Sequence, residues 1–282
     1  MRNFGYFGHE GRYSFEPGKM IDDVEAAISE GFGTDIGRYS IGFLDRAKDA
    51  ARARELYAKR IATLDAAEDD LAELEQDSDR ELSDKSCLCV YAGDLGEEKE
   101  YHVFLPSDEF LTPIHLGEEM THGEHFRRHA NSDGRPDWHA YLEKFKLLSN
   151  EFIGSLGSYL VYSKLERIID DLAIQLVGDC SEYSDLVGLV AHRAARCFVK
   201  TFGDIPYKEI FTASNQDRLW GMVSDTIGKD NLIVVKLGAG LPETGYENIF
   251  SMMLESKARP IVVEIVRNGK PDLIAWPDLL VR

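Results

Sequence analysis

Cysteine is scarce in this chain. Only Cys87, Cys89, Cys180 and Cys197 occur among 282 residues, too few and too scattered for a disulfide framework. No run approaches the roughly 18 apolar residues that a membrane-spanning helix needs. The first residues carry Arg2, Glu10 and Arg12 with no apolar core between them and do not read as a secretory signal. Positive charge is also in deficit: 32 Lys and Arg stand against 50 Asp and Glu, a net charge of −18. Binding DNA, RNA or an anionic membrane through a general basic surface depends on Lys/Arg clusters that release counterions, and this acid excess argues against it. The expectation is a cytoplasmic protein whose partner, if it has one, is basic.

What is present begins with a core: 44% of the residues are hydrophobic, enough for one large domain or two small ones. The longest helical signal runs from about Gly37 to Asp77. Phe43, Ala50, Tyr57, Leu64 and Leu71 recur every seventh residue, with no Pro or Gly between Phe43 and Asp77. That pattern predicts a helix of roughly 35–40 residues, about 55 Å long. Such a helix must lie along something, a second long helix of the chain or, as a coiled-coil homodimer, a second copy. Its charge changes sign. Six basic and three acidic residues lie between Asp45 and Arg60, and ten acidic residues with Arg80 alone between Asp65 and Asp84. Asp65, Glu68, Asp69, Asp70, Glu73 and Glu75 either form a solvated helix end or are candidate partner-binding residues, carboxylates that imitate nucleic-acid phosphates for a basic protein.

Residues 1–18 are rich in glycine and aromatics, and a short amphipathic helix follows, with Met20, Ile21, Val24 and Ile28 on one face and Gly31 as its stop. Leu88–Tyr91 and Tyr101–Leu105 read as a β-hairpin. A helix capped by Asp137 carries Trp138, Tyr141, Leu142, Phe145, Leu148 and Phe152, and Gly154 and Gly157 are expected to loosen or kink it before the apolar stretch 159–177. Further helices are expected over about 182–202 and from a Ser214 cap to Gly228, with Asp217 at the capping-box position. The last fifty residues read as strand, helix and two strands, the final pair joined at Asn268-Gly269, a two-residue hairpin signal.

Five of the eight histidines fall between His115 and His139. In a helix over residues 116–130, Glu118, His122, His125 and His129 share one face. Imidazoles and a carboxylate on one face are ligands for zinc or another divalent metal. Since i to i+11 spans roughly 16 Å, one helix offers a single ion two of them at most, such as His122 with His125 or Glu118 with His122. His115, Asp137 and His139 are the nearest candidates to complete a set. The alternative is a histidine cluster without metal, hydrogen-bonded to its surroundings or sensing pH.

Four weaker patterns remain. Lys236-Leu-Gly-Ala-Gly240 after a strand resembles the opening strand and glycine loop of amino-acid kinases, but the resemblance stops there and nothing is carried over from it. Gly238, Gly240 and Gly245 before a helix could admit an anion to the backbone, although their spacing is not a dinucleotide fingerprint. Cys180 with His192 or His139 could form a nucleophile and base, but Asp179 and Glu182 beside Cys180 oppose the thiolate. A nuclease reading of Asp272 and Glu264 lacks the Glu-x-Lys it needs.

The expected fold is α+β and helix-rich, a long N-terminal helix packed on further helices and a small mixed β-sheet. The expected division is an N-terminal arm and helix over 1–86 and an α+β domain over 87–282. Two functions are open. One is an acidic interaction or regulatory protein, of the immunity or inhibitor kind, that engages a basic protein partner. The other is a metal-dependent hydrolase with a His-rich site at residues 115–139.

Overall fold

The structure, a computed structural model, describes residues 17–35, 40–45, 88–91, 100–105, 113–129, 138–164, 183–202, 207–237, 243–267 and 270–274. Among these residues the architecture is α+β and helix-rich, with seven helices and two separate three-stranded sheets. The chain divides into two compact units, residues 1–30 with 34–141, and residues 31–33 with 142–282. No helix of the described residues is long and apolar enough to cross a membrane.

In the first unit, α1 (Pro17–Phe32) buries Ile21, Val24 and Ile28, one stripe at helical spacing. It ends at Phe32, one residue beyond the expected glycine. Gly33 takes φ 61° and the Thr34 N–H donates to the Ser29 carbonyl at 3.0 Å, a Schellman cap that needs a residue free of the Cβ penalty at Gly33. Gly31 stays inside the helix. The strands β1 (Ser40–Asp45), β2 (Leu88–Tyr91) and β3 (Glu100–Leu105) form a sheet in the order β1-β3-β2. The β2–β3 pair is the expected antiparallel hairpin, with Leu88 opposite Phe104. Helix α2 (Pro113–His129) packs on β2 and β3.

β1 corrects the expected long helix. Ser40–Asp45 runs parallel to β3, from Ser40 opposite Glu100 to Asp45 opposite Leu105, so the heptad pattern does not begin at Phe43 as a helix. Ile41 and Phe43 favour a strand and Gly42 is a poor helix residue, and a ready partner in β3 decides between the two. The remainder of the predicted helix, with its acidic run, lies outside the described residues.

In the second unit, α3 (Trp138–Lys164, whose first four residues belong to the first unit) is broken at Lys146, which holds φ 50° and ψ 161°. The break precedes the glycines expected to cause it. Gly154 and Gly157 are buried within regular helix, where small residues let neighbours approach. Helices α4 (Tyr183–Phe202), α5 (Lys208–Phe211) and α6 (Gln216–Ile227) follow. Aromatic rings tie them together: Phe152 lies 4.8 Å from Trp220 and 6.2 Å from Phe198 between ring centroids, and Phe198 lies 5.4 Å from Tyr207. The Trp220 indole, which must find an acceptor when buried, donates to Ser149 Oγ at 3.0 Å. The cap of α6 is Asn215 rather than Ser214. Its side chain accepts from the Arg218 N–H at 2.9 Å, which leaves Asp217 in the first turn with Lys257 3.4 Å away.

The C-terminal β-α-β-β unit has the expected form. Strands β4 (Ile233–Leu237) and β5 (Ile261–Arg267) are parallel and joined through α7 (Glu243–Ser256), and β6 (Lys270–Ile274) returns antiparallel with Arg267 opposite Lys270. The order β4-β5-β6 leaves β4 at an edge of this sheet. Among the described residues it is a sheet separate from that of β1, β2 and β3, which corrects the expectation of one mixed sheet. α4 lies against both β4 and α7.

Candidate functional site

The histidine-rich segment folds as the predicted helix. Pro113 occupies its first position, where a missing N–H costs nothing, and Arg127, Arg128 and His129 in the last turn suit the negative end of the dipole. Gly123 does not interrupt it. His125 is buried, whereas Glu118, His122 and His129 are half-buried. His125 Nδ1 is hydrogen-bonded to the Tyr141 hydroxyl at 2.7 Å, and the rings of His125 and His129 lie 4.6 Å apart. Burial holds the His125 imidazole well below its ordinary pKa, and His129, His122 and Arg128 nearby push it the same way. Next to it the buried Glu124 accepts from both Arg127 and Arg128, at 2.6 to 2.9 Å, and Arg128 Nη2 donates onward to the Asp35 carbonyl at 2.7 Å.

This arrangement separates the predicted ligands. His125 is engaged through Nδ1 in a buried hydrogen bond, in the manner of a core histidine. Glu118 and His122, one turn apart and half-buried, are the pair with the spacing for two ligands on one metal ion. His115 and His139 lie in the first turns of α2 and α3. Asp137, Cys180 and the six acidic residues from Asp65 to Glu75 lie outside the described residues.

A second place gathers chemistry that sequence reading did not link. In a chain of net charge −18, α4 carries three basic residues, Arg193, Arg196 and Lys200, against one acid, Asp185. Its apolar residues, Leu186, Val187, Val190, Ala194 and Phe198 among them, are buried and set the orientation of the helix. Arg193, Arg196 and Lys200 follow one another at i, i+3 and i+7 and therefore share the opposite face. Together with His192 and with Lys236 of β4 they line a cleft of about 450 Å³ in the second unit. β4 alternates buried and exposed residues, which turns Val234 and Lys236 outward while Ile233, Val235 and Leu237 are buried.

The cations are not equivalent. Arg193 Nη1 donates to the Lys236 carbonyl and so ties α4 to β4. Lys236 Nζ lies 3.5 Å from Glu264 on the neighbouring strand. Arg196 and Lys200 are exposed, and neither has a carboxylate partner among the described residues. Lys236 stands next to last in a parallel strand, and the carboxyl end of such strands is where open α/β sheets receive ligands. The exposed thiol of Cys197 lines the same cleft. The signal for this site was in the sequence as a basic i, i+3, i+7 triplet within an acidic chain. The 35 residues between Lys200 and Lys236 concealed the connection of the two.

Comparison with family models, with curated proteins and with solved structures finds no match. A reading of function therefore rests on the chemistry of these residues.

Proposed function

We propose that this chain is a binding protein that receives a small anionic ligand in the cleft between α4 and β4. The observation that carries the reading is the pair Arg196 and Lys200, exposed on one face of α4 and directed to a cleft with no carboxylate to neutralise them among the described residues. Like charges at i, i+4 oppose a helix by a few tenths of a kcal/mol, about 0.2–0.5, and an anion between them removes that opposition. Guanidinium and ammonium groups bind phosphate and carboxylate through charge-assisted hydrogen bonds. Inorganic phosphate should raise the melting temperature of the wild-type chain and leave that of the Arg196→Gln/Lys200→Gln double variant unchanged. An equal rise in both proteins would place the effect elsewhere and end this reading.

Two other functions keep an observation in their favour. The acid excess, concentrated between Asp65 and Asp84, supports engagement of a basic protein partner by Asp65, Glu68, Asp69, Asp70, Glu73 and Glu75. Its mark is a pull-down that weakens with salt and with neutralisation of those six residues. Glu118 and His122 on the half-buried flank of α2 support a divalent metal and, with it, a hydrolase. That reading requires about one equivalent of zinc, manganese or iron in tag-free protein by plasma mass spectrometry, lost in His122→Ala.

A further inference from the structure

Resting on the reading of the α4–β4 cleft as an anion site, we infer that its ligand is a short organic molecule with two separated anionic groups, such as a bisphosphate. The cations stand at two stations. Arg193 is fixed at one of them, because its guanidinium is bonded to the Lys236 carbonyl, while the Lys236 ammonium is held near Glu264 on the neighbouring strand. Lys200 marks the other, two turns farther along the helix, and Arg196 stands between the two.

The rise from Arg193 to Lys200 is about 10 Å, which Arg196 divides into about 4.5 Å and about 6 Å. One phosphate is too small to satisfy both stations while Arg193 stays bonded to β4. A cleft of about 450 Å³ is likewise larger than one phosphate fills and falls within the range of small-molecule sites. Besides the cations its lining includes apolar and aromatic groups. Leu189 and Val234 contribute hydrocarbon, and the Tyr159 ring stands edge-on to His192 with 6.3 Å between centroids. Such a lining suits a carbon skeleton between two charged ends better than the bridging oxygen of pyrophosphate.

The test is calorimetric titration of the full chain with inorganic phosphate, pyrophosphate and 1,4-butanediol bisphosphate. Pyrophosphate matches the bisphosphate in having two phosphoryl groups and differs in span. The bisphosphate is expected to bind at least about tenfold more tightly than either of the others, the scale of one additional charge-assisted contact. Lys200→Gln, an exposed position, should reduce it to the affinity of phosphate, and Arg193→Gln should do the same from the other end. Equal affinity for pyrophosphate and bisphosphate, or a bisphosphate advantage that survives Lys200→Gln, overturns the two-station inference and leaves the anion site standing. Failure of all three probes to bind overturns the inference together with the reading on which it rests.

Discussion

Lys146 holds φ 50° and ψ 161° between two stretches of regular helix, a conformation that only glycine adopts without strain. Such a residue costs of order 1–3 kcal/mol, part of which glycine returns as greater freedom of the unfolded chain. Lys146→Gly should therefore stabilise the protein by about 1 kcal/mol in denaturant unfolding, the opposite of what glycine does within a helix. His125 is the second residue with a measurable signature. Its pKa is lowered on folding, first by burial and then by His129, His122 and Arg128, so the unfolded chain takes up the proton first. The stability this contributes is present above the unfolded value of about 6.5 and is lost as pH falls through it toward the lower folded value. Thermal unfolding should be level from pH 8 to 7 and then fall toward pH 5.5, by at most about 1.4 kcal/mol per pH unit for this one proton. In His125→Gln, which stays neutral and can still meet Tyr141, that fall should be shallower. The histidine face was legible from spacing alone. The engagement of His125 was not, because Tyr141 stands sixteen positions away on the next helix.

At the scale of elements, what was local was readable. The β4-α7-β5-β6 unit follows from alternation, one helical face and an Asn-Gly hairpin, all within the last fifty residues. Ser40–Asp45 was not readable, because its strand character depends on β3, sixty residues farther on, with which Ser40 pairs at Glu100. The cleft was illegible for the same reason: its two walls meet only after the chain has passed through α5 and α6. Gly31 shows how one position serves two elements. A Cβ there would stand 2.9 Å from Leu160 Cδ1 and 3.1 Å from Leu160 Cβ, and the Gly31 carbonyl accepts from the Tyr207 N–H at 3.1 Å. Alanine favours the helix by about 1 kcal/mol, whereas overpacking costs about 1–3. The clash should win, and Gly31→Ala should lose about 1 kcal/mol in chemical denaturation. A variant more stable than wild type would mean that Leu160 gives way freely.

For the molecule as a whole, charge is unevenly placed. A total of −18 repels itself and opposes compactness, although the α4–β4 cleft is lined by cations. Screening should therefore stabilise. The melting temperature is expected to rise by a few degrees between about 0.02 M and about 0.3 M sodium chloride, where the Debye length shrinks from roughly 20 Å to below 10 Å. The same rise should appear in Arg196→Gln/Lys200→Gln, since it belongs to the total charge and not to the cleft; a rise confined to wild type would assign it to chloride in the cleft. Composition made this much legible, and a sum of charges carries no information about where a minority of cations gathers.

The bond from Arg193 to the Lys236 carbonyl reaches one step further. β4 is an edge strand among those described, and its outward residues include the exposed Val234. An open edge is a template on which a passing strand can add. The guanidinium occupies one rung of that ladder and sets a positive charge across it. With that rung covered, the edge offers less to a templating strand, and preparations of Arg193→Gln should gather into fibrous or amorphous aggregate sooner than those of Lys200→Gln, which carries the same loss of charge without uncovering the strand.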